Sequence, residues 1–330
     1  MRAKLVPVEP YSVEKIVSDG RHNAFAAFIY WQGAYWLAFR QASGHIARDG
    51  DIVVLRSADA RGWRPAVRFD VAGDDRDPQW AVIGGRLWLY INSLDDGRFE
   101  SWATGTDGGE TWSAPQRIYQ PGYIFWKPIF HQGRLWAGAH APGTDQQRRT
   151  ELVVSADGLD WEQVSIIRAG QGESETALYF DRGRLTAFLR NQTRLGGDIL
   201  QSESPFTQWN QQPAQVHLSG HVVYEFDGVV YLISRLLRHH PPAAPATPQA
   251  ELPSSNDQGT MVYTYEDQCL RPYCQLGPLQ GNHDSSYATA VRQGNELLVV
   301  FHRAANEFAG PHRARDAADL YLARVPLQKG

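Results

Sequence analysis

Arginine and histidine recur at one position of a repeated pattern, the polar end of an aromatic-rich apolar run. The six runs end at Arg40, Asn92, His140, Arg190, Arg235 and His302-Arg303. Polar segments precede the neighbouring apolar stretches at residues 19–23, 74–78, 125–128, 173–176, 219–221 and 282–287. A planar guanidinium donates paired hydrogen bonds to a carboxylate or a phosphate. The pattern predicts a site for an anionic group where these ends meet, although an ordinary salt bridge explains any single arginine equally well.

A glycine turn opens each of these runs, and the glycines divide the chain into units of roughly 50 residues. They are Gly33, Gly85, Gly133, Gly183, Gly228 and Gly294. A period of this size, built from short strands, is that of one β-propeller blade. The sequence therefore predicts an all-β fold, a six-bladed β-propeller formed by residues 1–330 as a single domain. The first strand of each blade would line the central channel, which brings the polar segments to one axis.

The second unit shows the predicted plan of one blade. Strands are predicted at residues 78–83, 86–92, 98–104 and 114–119. The turn before the outer strand recurs at residues 57–63, 105–112 and 155–161, and in a weaker copy at 202–209. In such a turn an aspartate can accept backbone N–H groups, and a tryptophan can fill the gap between sheets. We therefore interpret Asp59, Asp107 and Asp157 as structural residues.

Two segments complete the predicted ring. Residues 238–258 are rich in proline and alanine and cannot pair as a strand, because proline lacks the N–H donor. We predict an insertion loop in blade five there, which is either a surface loop or a lid over the axial pocket. Residues 320–325 are predicted as the third strand of blade six. Residues 12–17 would supply its outer strand, so that the N-terminal strand closes the ring.

The composition excludes several classes of protein. Hydrophobic residues make up 42% of the chain and aromatic residues 12%, which is enough for a large core. The 32 basic and 36 acidic residues leave no polybasic footprint for nucleic acid. No run is long enough to cross a bilayer, and no signal peptide is visible, so we expect a cytoplasmic protein that binds no membrane unless a signal was trimmed. Cys269 and Cys274 make a poor zinc site, and we expect neither metal nor cofactor.

The turn at residues 105–112 resembles the Asp box of the sialidase (neuraminidase) superfamily, Ser-x-Asp-x-Gly-x-Thr-Trp, and the resemblance extends over nearly the whole chain. Glu175 and Arg190 are similar in kind and spacing to a Glu and an Arg of that family. Tyr287 looks like the nucleophile that begins the inner strand of the last blade. The family's Arg-Ile-Pro motif of the first blade is absent, since this chain has Arg21-His22-Asn23.

The resemblance implies a retaining glycoside hydrolase that acts on an acidic oligosaccharide or glycoconjugate. Tyr287 would be the nucleophile and Glu175 its base, with Asp49 or His45 as general acid. A tyrosine hydroxyl, with an ordinary pKa near ~10, needs such a base, and a neutral nucleophile avoids repulsion by the sugar's own carboxylate. The candidate substrate-binding residues are Arg21, Arg40, Asp77, Lys127, Arg190, His221, Arg235, His283, Asp284 and Arg303.

Two other functions fit the same residues. A polysaccharide lyase acting on a uronic acid would use the arginines to neutralise the carboxylate. Tyr287 and a histidine such as His45, His221 or His283 would then transfer protons. A non-catalytic propeller that binds glycan or protein would instead have an axial pocket lined by aromatics, without a paired tyrosine and carboxylate.

Overall fold

The computed structural model describes residues 5–144, 146–193, 196–237, 257–281, 284–304 and 317–328. The regular structure in these ranges consists of twenty-five β-strands. No helix within these ranges has the length and apolar character required to span a membrane. The fold is an all-β propeller.

The strands follow one another as antiparallel meanders. After β1 (Ser12–Val17), the first two meanders are β2 (His22–Trp31), β3 (Ala34–Ala42), β4 (Asp51–Ser57), β5 (Arg64–Phe69), and β6 (Asp74–Ile83), β7 (Arg86–Asp95), β8 (Arg98–Thr106), β9 (Gln116–Ile118). The next two are β10 (Ile124–His131), β11 (Arg134–Ala141), β12 (Arg149–Ser155), β13 (Trp161–Ala169), and β14 (Glu173–Asp181), β15 (Arg184–Asn191), β16 (Gly196–Glu203), β17 (Asn210–Ala214). The remaining strands are β18 (Val222–Phe226), β19 (Val229–Leu237), β20 (Asp257–Glu266), β21 (Cys269–Gln275), β22 (Gln280–Gly281), and β23 (Ser285–Gln293), β24 (Glu296–Ala304), β25 (Ala318–Pro326).

Hydrogen bonding groups the described strands into five sheets. Four sheets hold one meander each, β6–β9, β10–β13, β14–β17 and β18–β21, and β22 pairs with β20 in the last of these. The fifth sheet has eight strands and contains two meanders, β2–β5 and β23–β25, which are joined where His22 pairs with Ala318. β1 pairs with β25 in this sheet, so chain segments near the two ends of the sequence lie side by side.

The innermost strand of five meanders carries the same irregularity, a β-bulge that inserts one extra residue against its neighbour. The bulges contain Phe25-Ala26, Asp77-Pro78, Lys127-Pro128, Ser174-Glu175 and Tyr287-Ala288. A bulge bends the strand and re-aims a side chain. It also tolerates proline, because the ladder hydrogen bond is already interrupted there. We call Phe25, Asp77, Lys127, Glu175 and Tyr287 the bulge residues.

Several strand predictions from the sequence need correction at their bounds. Strand β6 begins four residues before the predicted position 78, at Asp74, because the polar segment pairs with β7 across the bulge. The outer strand β9 is only three residues long. Residues 238–256 of the predicted insertion lie outside the described residues, and Asp257 and Gln258, predicted as its end, belong to β20.

Aromatic side chains fill the space between neighbouring sheets. Trp161, at the end of a turn, packs against Phe125 with ring centroids 4.9 Å apart and against Tyr90 of the preceding sheet at 5.8 Å. Trp112 occupies the matching place beside Trp36 and Phe69. Burial of large rings supplies much of the hydrophobic stabilisation of such an interface.

Two of the three turn aspartates accept backbone hydrogen bonds. Asp157 Oδ1 accepts the N–H groups of Leu159 at 2.8 Å and Asp160 at 2.9 Å. Asp59 does the same for its own turn. Asp107 departs from this pattern, because its carboxylate pairs with Arg86 at 3.0 Å and is 78% exposed. The expectation that a turn aspartate accepts backbone N–H groups therefore needs correction for Asp107, which holds Arg86 instead.

We predict that Asp157→Ala lowers the free energy of unfolding by on the order of 2 kcal/mol, since two turn N–H groups lose their acceptor. Asp107→Ala is the matched control and should cause a much smaller loss, because an exposed ion pair contributes little. Urea unfolding of both variants measures the difference. Equal losses would contradict this distinction between the two turns.

Candidate active site

Tyr287, Glu175 and Arg190 form a hydrogen-bonded cluster at the axis. The Tyr287 hydroxyl donates to Glu175 Oε1 at 2.6 Å. Arg190 Nη1 donates to the same oxygen at 2.8 Å and lies 3.2 Å from the hydroxyl. Gly220 N–H donates to Glu175 Oε2 at 2.9 Å. The carboxylate thus accepts from three groups. Strands β14, β15 and β23 and the segment before β18 bring them together, although Glu175 and Tyr287 are far apart in sequence.

Gly220 is required at its position by the ring of Tyr287. Its φ is +56°, and a Cβ there would lie 2.6 Å from the Tyr287 ring. Glycine is the residue that accepts both this backbone conformation and this close approach. The tyrosine is therefore held between the Gly220 backbone and Phe25, whose ring centroid is 4.9 Å away.

The electrostatic environment keeps the proton on Tyr287 and leaves Glu175 ionised. Burial acts to raise the pKa of Glu175, but Arg190 and the hydrogen bonds from Tyr287 and Gly220 outweigh it and lower the pKa to about 2. Burial, with the nearby Glu175 charge, raises the pKa of Tyr287. Glu175 is consequently placed as a proton acceptor for a phenol that stays neutral until a reacting group approaches.

Asp284 is the centre of a second cluster beside the first. Its Oδ1 accepts from Arg235 Nη2 at 2.8 Å, and its Oδ2 accepts from His45 Nδ1 at 2.7 Å. The Nε2 atoms of His302 and His22 lie 3.2 Å and 3.5 Å from the same oxygen. Burial opposes ionisation of Asp284, yet these neighbours hold its pKa well below the usual range. Arg235 in turn lies over the Tyr287 ring at 5.3 Å, which connects the two clusters.

The second cluster brings three potential metal ligands within 4.8 Å of one another, the side chains of His22, His45 and Asp284. The hydrogen bonding of His22 does not fit a metal. Arg40 has only donors, so His22 Nδ1 accepts from Arg40 Nη1 at 3.2 Å. Burial lowers the pKa of His22 to about 4, and the neutral ring then carries its proton on Nε2, the atom that faces Asp284. An N–H at this position donates to a carboxylate and offers no lone pair to a metal ion.

Asp77, Lys127 and Arg76 form a third group at the axis. Arg76 Nε lies 3.3 Å from Asp77 Oδ2, and the Arg76 guanidinium stacks over Phe25 at 4.8 Å. Burial lowers the pKa of Lys127 to about 8, against the opposing influence of Asp77 and Glu175. Burial raises the pKa of Asp77. Both Asp77 and Lys127 adopt a positive φ, of +48° and +41°, in their bulges.

An apolar cavity of about 340 Å³ follows the axis behind these groups. Lys127 lies at its wall, together with residues that continue the inner strands beyond the bulges, such as Ala27, Ala177 and Thr289. The charged groups are thus concentrated at the bulges and the apolar groups beyond them. A polar ligand would find its hydrogen-bond partners among the bulge residues.

Comparison with known proteins agrees with this architecture. The BNR repeat-like domain pattern matches residues 33–217, more than half of the chain. The chain belongs to the BNR repeat-like domain family. No curated protein sequence matches it significantly.

Solved structures similar to this BNR repeat-like protein include three of sialidase type. Phage phi92 endosialidase superposes with a TM-score of 0.70 at 10% identity, over 97% of this chain and 69% of that one. Trypanosoma rangeli sialidase in complex with sialic acid gives 0.68 at 13% identity, over 97% and 58%. Hadza microbial sialidase Hz136 gives 0.65 at 13% identity, over 93% and 66%. The chain therefore spans 58% to 69% of the length of these structures, and the likeness establishes the fold.

The structure of the BNR repeat-like protein brings together most of the site residues predicted from the sequence. Tyr287, Glu175 and Arg190 meet in the first cluster, and His45, Asp284 and Arg235 in the second. Asp77 and Lys127 join them as bulge residues. His283 lies outside the described residues.

Five predicted site residues have other surroundings. Arg40 is fully buried and donates to Asp74 at 2.6 Å. His221 is also fully buried, and its Nε2 donates to the backbone oxygen of Phe188 at 2.7 Å. Neither side chain is therefore open to a ligand. Arg21 and Asp49 pair with each other at 3.4 Å in exposed positions. Arg303 lies over Tyr321 at 5.4 Å and donates to Pro278 O. The sequence prediction is corrected for these residues, because the end of a strand can face the sheet interior or solvent as well as the axis.

Sequence reasoning missed other residues of the site. Arg76 lies in the same polar segment as Asp77, and His302 directly precedes Arg303. The positions of Arg76 and His302 in the repeated pattern therefore could have identified both as site residues. His22 was noted only as a departure from a family motif. Phe25 lies in an apolar strand, and its place beside Tyr287 follows from the bulge, which the sequence does not reveal.

We predict that the protein loses stability steeply as the pH falls from 6.5 to 4. Burial lowers the pKa values of His22, His140 and His221 to about 4. The unfolded chain binds protons on these rings from about pH 6.5 downward and the folded chain does not, so acid favours unfolding by on the order of 1.4 kcal/mol per pKa unit for each ring. Two carboxyl groups oppose the trend, because burial raises the pKa of Asp75 to about 6 and also raises the pKa of Asp77.

Thermal midpoints measured across this pH range test the prediction. His140→Gln removes one of the three rings and should make the pH dependence shallower. A wild-type midpoint that stays constant down to pH 4 would show that the buried histidines are charged in the folded state.

Proposed function

We propose that this protein is a retaining glycoside hydrolase that acts on an acidic sugar. The hydrogen bond from Tyr287 to Glu175, beside Arg190, carries the proposal. A tyrosine paired with a buried, ionised carboxylate is a nucleophile with its base already in place. The alternative of a non-catalytic propeller predicted an axis without such a pair.

We further infer that the propeller has six blades. The two meanders of the eight-stranded sheet, β2–β5 and β23–β25, share a single bridging pair of residues. We count these two meanders as separate blades. Strand β1, which pairs with β25, would then be the fourth strand of the sixth blade and would close the ring.

The excess of positive charge supports an anionic substrate. With the buried pair of Arg40 and Asp74 included, five cations stand against four carboxylates, namely Arg40, Arg76, Lys127, Arg190 and Arg235 against Asp74, Asp77, Glu175 and Asp284. An uncompensated positive charge in a buried setting favours binding of a carboxylate. Sialic acid, the ligand in the Trypanosoma rangeli sialidase complex, and the uronic acids are sugars of this kind.

The proposed reaction has two displacements. Tyr287 Oη attacks the anomeric carbon while its proton moves to Glu175 Oε1, and the glycosidic oxygen leaves with a proton from a general acid. Water then attacks the anomeric carbon of the tyrosyl glycoside and gives its proton to the conjugate base of the general acid. The released Tyr287 oxygen recovers its proton from Glu175, and the configuration is retained after two inversions.

His45 is the better of the two general acids proposed from the sequence. Asp284 accepts from His45 Nδ1 and so orients the ring, which leaves Nε2 for proton transfer. Hydrogen bonds from Ser43 lower the pKa of Asp49, whose side chain is 52% exposed. An acid with a lowered pKa gives up its proton before it can serve at neutral pH.

The lyase remains a second candidate because of this His45–Asp284 pair. A histidine oriented by a carboxylate could remove the proton beside a uronate carboxylate, while Tyr287 protonates the leaving oxygen. The lyase product contains a new double bond and absorbs in the near ultraviolet, whereas the hydrolase product does not. Spectra recorded during turnover of acidic oligosaccharides therefore decide between the two reactions.

We predict that Tyr287→Phe lowers turnover by about 10²-fold or more and leaves the thermal midpoint nearly unchanged, because it removes one oxygen that transfers a proton. Tyr30→Phe, at an exposed tyrosine on β2, is the matched control and should keep wild-type turnover. Turnover is measured on aryl glycosides of sialic acid and of uronic acids. Full activity of Tyr287→Phe would remove the phenol from the mechanism.

We also predict that Arg235→Lys raises KM for an acidic glycoside at least about tenfold, because lysine cannot reproduce a guanidinium that bonds two acceptors at once. Arg235 bonds both Asp284 and the backbone oxygen of Ser285. Arg303→Lys is the control, since Arg303 contacts Tyr321 and Pro278 instead. Equal KM values for the two variants would argue against Arg235 as an anion ligand.

A further inference from the structure

Asp77 has a carboxyl oxygen that the proposed roles leave unexplained. The residue is 8% exposed, and its Oδ1 is buried without a hydrogen-bond partner among the described residues. The other oxygen, Oδ2, has only the long contact of 3.3 Å to Arg76 Nε. Buried polar atoms are nearly always paired, so an unpaired one in a pocket needs a reason. A proton on this oxygen, waiting for an acceptor on a ligand, is such a reason.

The backbone at Asp77 has the same irregularity as the backbone at Tyr287. Each residue is the first of the two in the bulge of its own strand, β6 or β23, and both have a positive φ, of +48° and +44°. Pro78 follows in the same bulge and fixes the backbone further. Positive φ is strained for a residue with a side chain, and strain of this kind is found where a side chain must be held in one direction.

The groups that face Asp77 are those of the active site. The charges of Arg76, Glu175 and Lys127 act on its carboxyl group, and its own charge acts on Tyr287. Burial raises the pKa of Asp77, and Glu175 adds to this, whereas Arg190 and its hydrogen-bond donors lower the pKa of Glu175 to about 2 despite burial. Two carboxyl groups driven apart in this way take the roles of acid and base.

We propose that Asp77 is the general acid that protonates the leaving group, a proposal that rests on the glycoside hydrolase function proposed above. As the bond between the anomeric carbon and the glycosidic oxygen breaks, the Asp77 proton moves to that oxygen. The Asp77 carboxylate then takes a proton from the water that attacks the tyrosyl glycoside and is ready for the next cycle. Arg76 and Lys127 stabilise the carboxylate between the two steps.

Asp77 takes this role in place of His45. His45 Nδ1 belongs to the network of Asp284, which also holds Arg235 over the Tyr287 ring. In this assignment His45 is a positioning residue, which helps to fix Asp284 and through it Arg235. His45→Gln should then raise KM more than it lowers kcat.

The dependence on the leaving group tests the assignment. Aryl glycosides with a nitrophenol leaving group need little protonation, and alkyl glycosides need it fully. Asp77→Asn should lose about 10²-fold or more in kcat/KM on alkyl glycosides of sialic and uronic acids and much less on the nitrophenyl glycosides. Azide should partly restore turnover of the nitrophenyl substrates, because it attacks the tyrosyl glycoside without a general base. Asp49→Asn is the matched control and should behave as wild type.

Equal losses of kcat/KM on both classes of glycoside in Asp77→Asn would overturn the proposal. A loss restricted to alkyl glycosides that appears in His45→Gln and not in Asp77→Asn would also overturn it. A readout without substrate separates this failure from that of the proposed function. Near pH 5 we expect infrared bands from two buried protonated carboxyl groups, Asp77 and Asp75, since burial raises the pKa of Asp75 to about 6. Only the Asp77 band should disappear in Asp77→Asn. Absence of hydrolysis with every glycoside would refute the hydrolase, whereas identical carboxyl bands in the wild-type protein and Asp77→Asn would refute the acid assignment by itself.

Discussion

One extra residue in the innermost strand of a blade is the feature on which the site depends. A regular strand alternates its side chains between the two faces of its sheet, so few of them point along the sheet edge towards the axis. The bulges interrupt this alternation at corresponding positions of β2, β6, β10, β14 and β23. Four of the bulge residues, Phe25, Asp77, Lys127 and Tyr287, pass through positive φ there. The backbone strain at these positions is compatible with a stable fold because the paired strands on either side fix the conformation.

The charges at the axis are arranged in pairs that differ in how much they are open to a ligand. Arg40 and Asp74 form a buried ion pair, and Arg40 also fixes the tautomer of His22 by donating to its Nδ1. Both residues are part of the buried wall of the site. Arg190 and Glu175 form a pair of which the arginine is partly exposed. Removing one member of a buried pair leaves an uncompensated charge, so each pair acts as a unit. The difference in exposure separates charges that support the site from charges that are open to a ligand.

The sequence predicted the repeated strands for physical reasons that are local. Glycine turns and alternating apolar runs reflect backbone geometry within a single meander, and the turn tryptophans reflect the gap between sheets. Residues 12–17 were predicted as a strand beside residues 320–325, and β1 pairs with β25. The approach of Tyr287 to Glu175 came from a resemblance, because a contact between residues so far apart has no local signature.

Which arginines, acids and histidines reach the axis was decided by the tertiary structure. Arg40 and Arg190 occupy the same position in the sequence pattern, yet Arg40 is enclosed by Asp74 and the loop after it, whereas Arg190 meets Tyr287. Asp49 is exposed and Asp284 is surrounded by histidines from two other strands and a loop, a contrast that depends on packing between blades. The sequence by itself determined the repeated unit, because each strand and turn forms from neighbouring residues. Only the packing of the sheets against one another determined the site, because its electrostatics arise between residues that no local pattern connects.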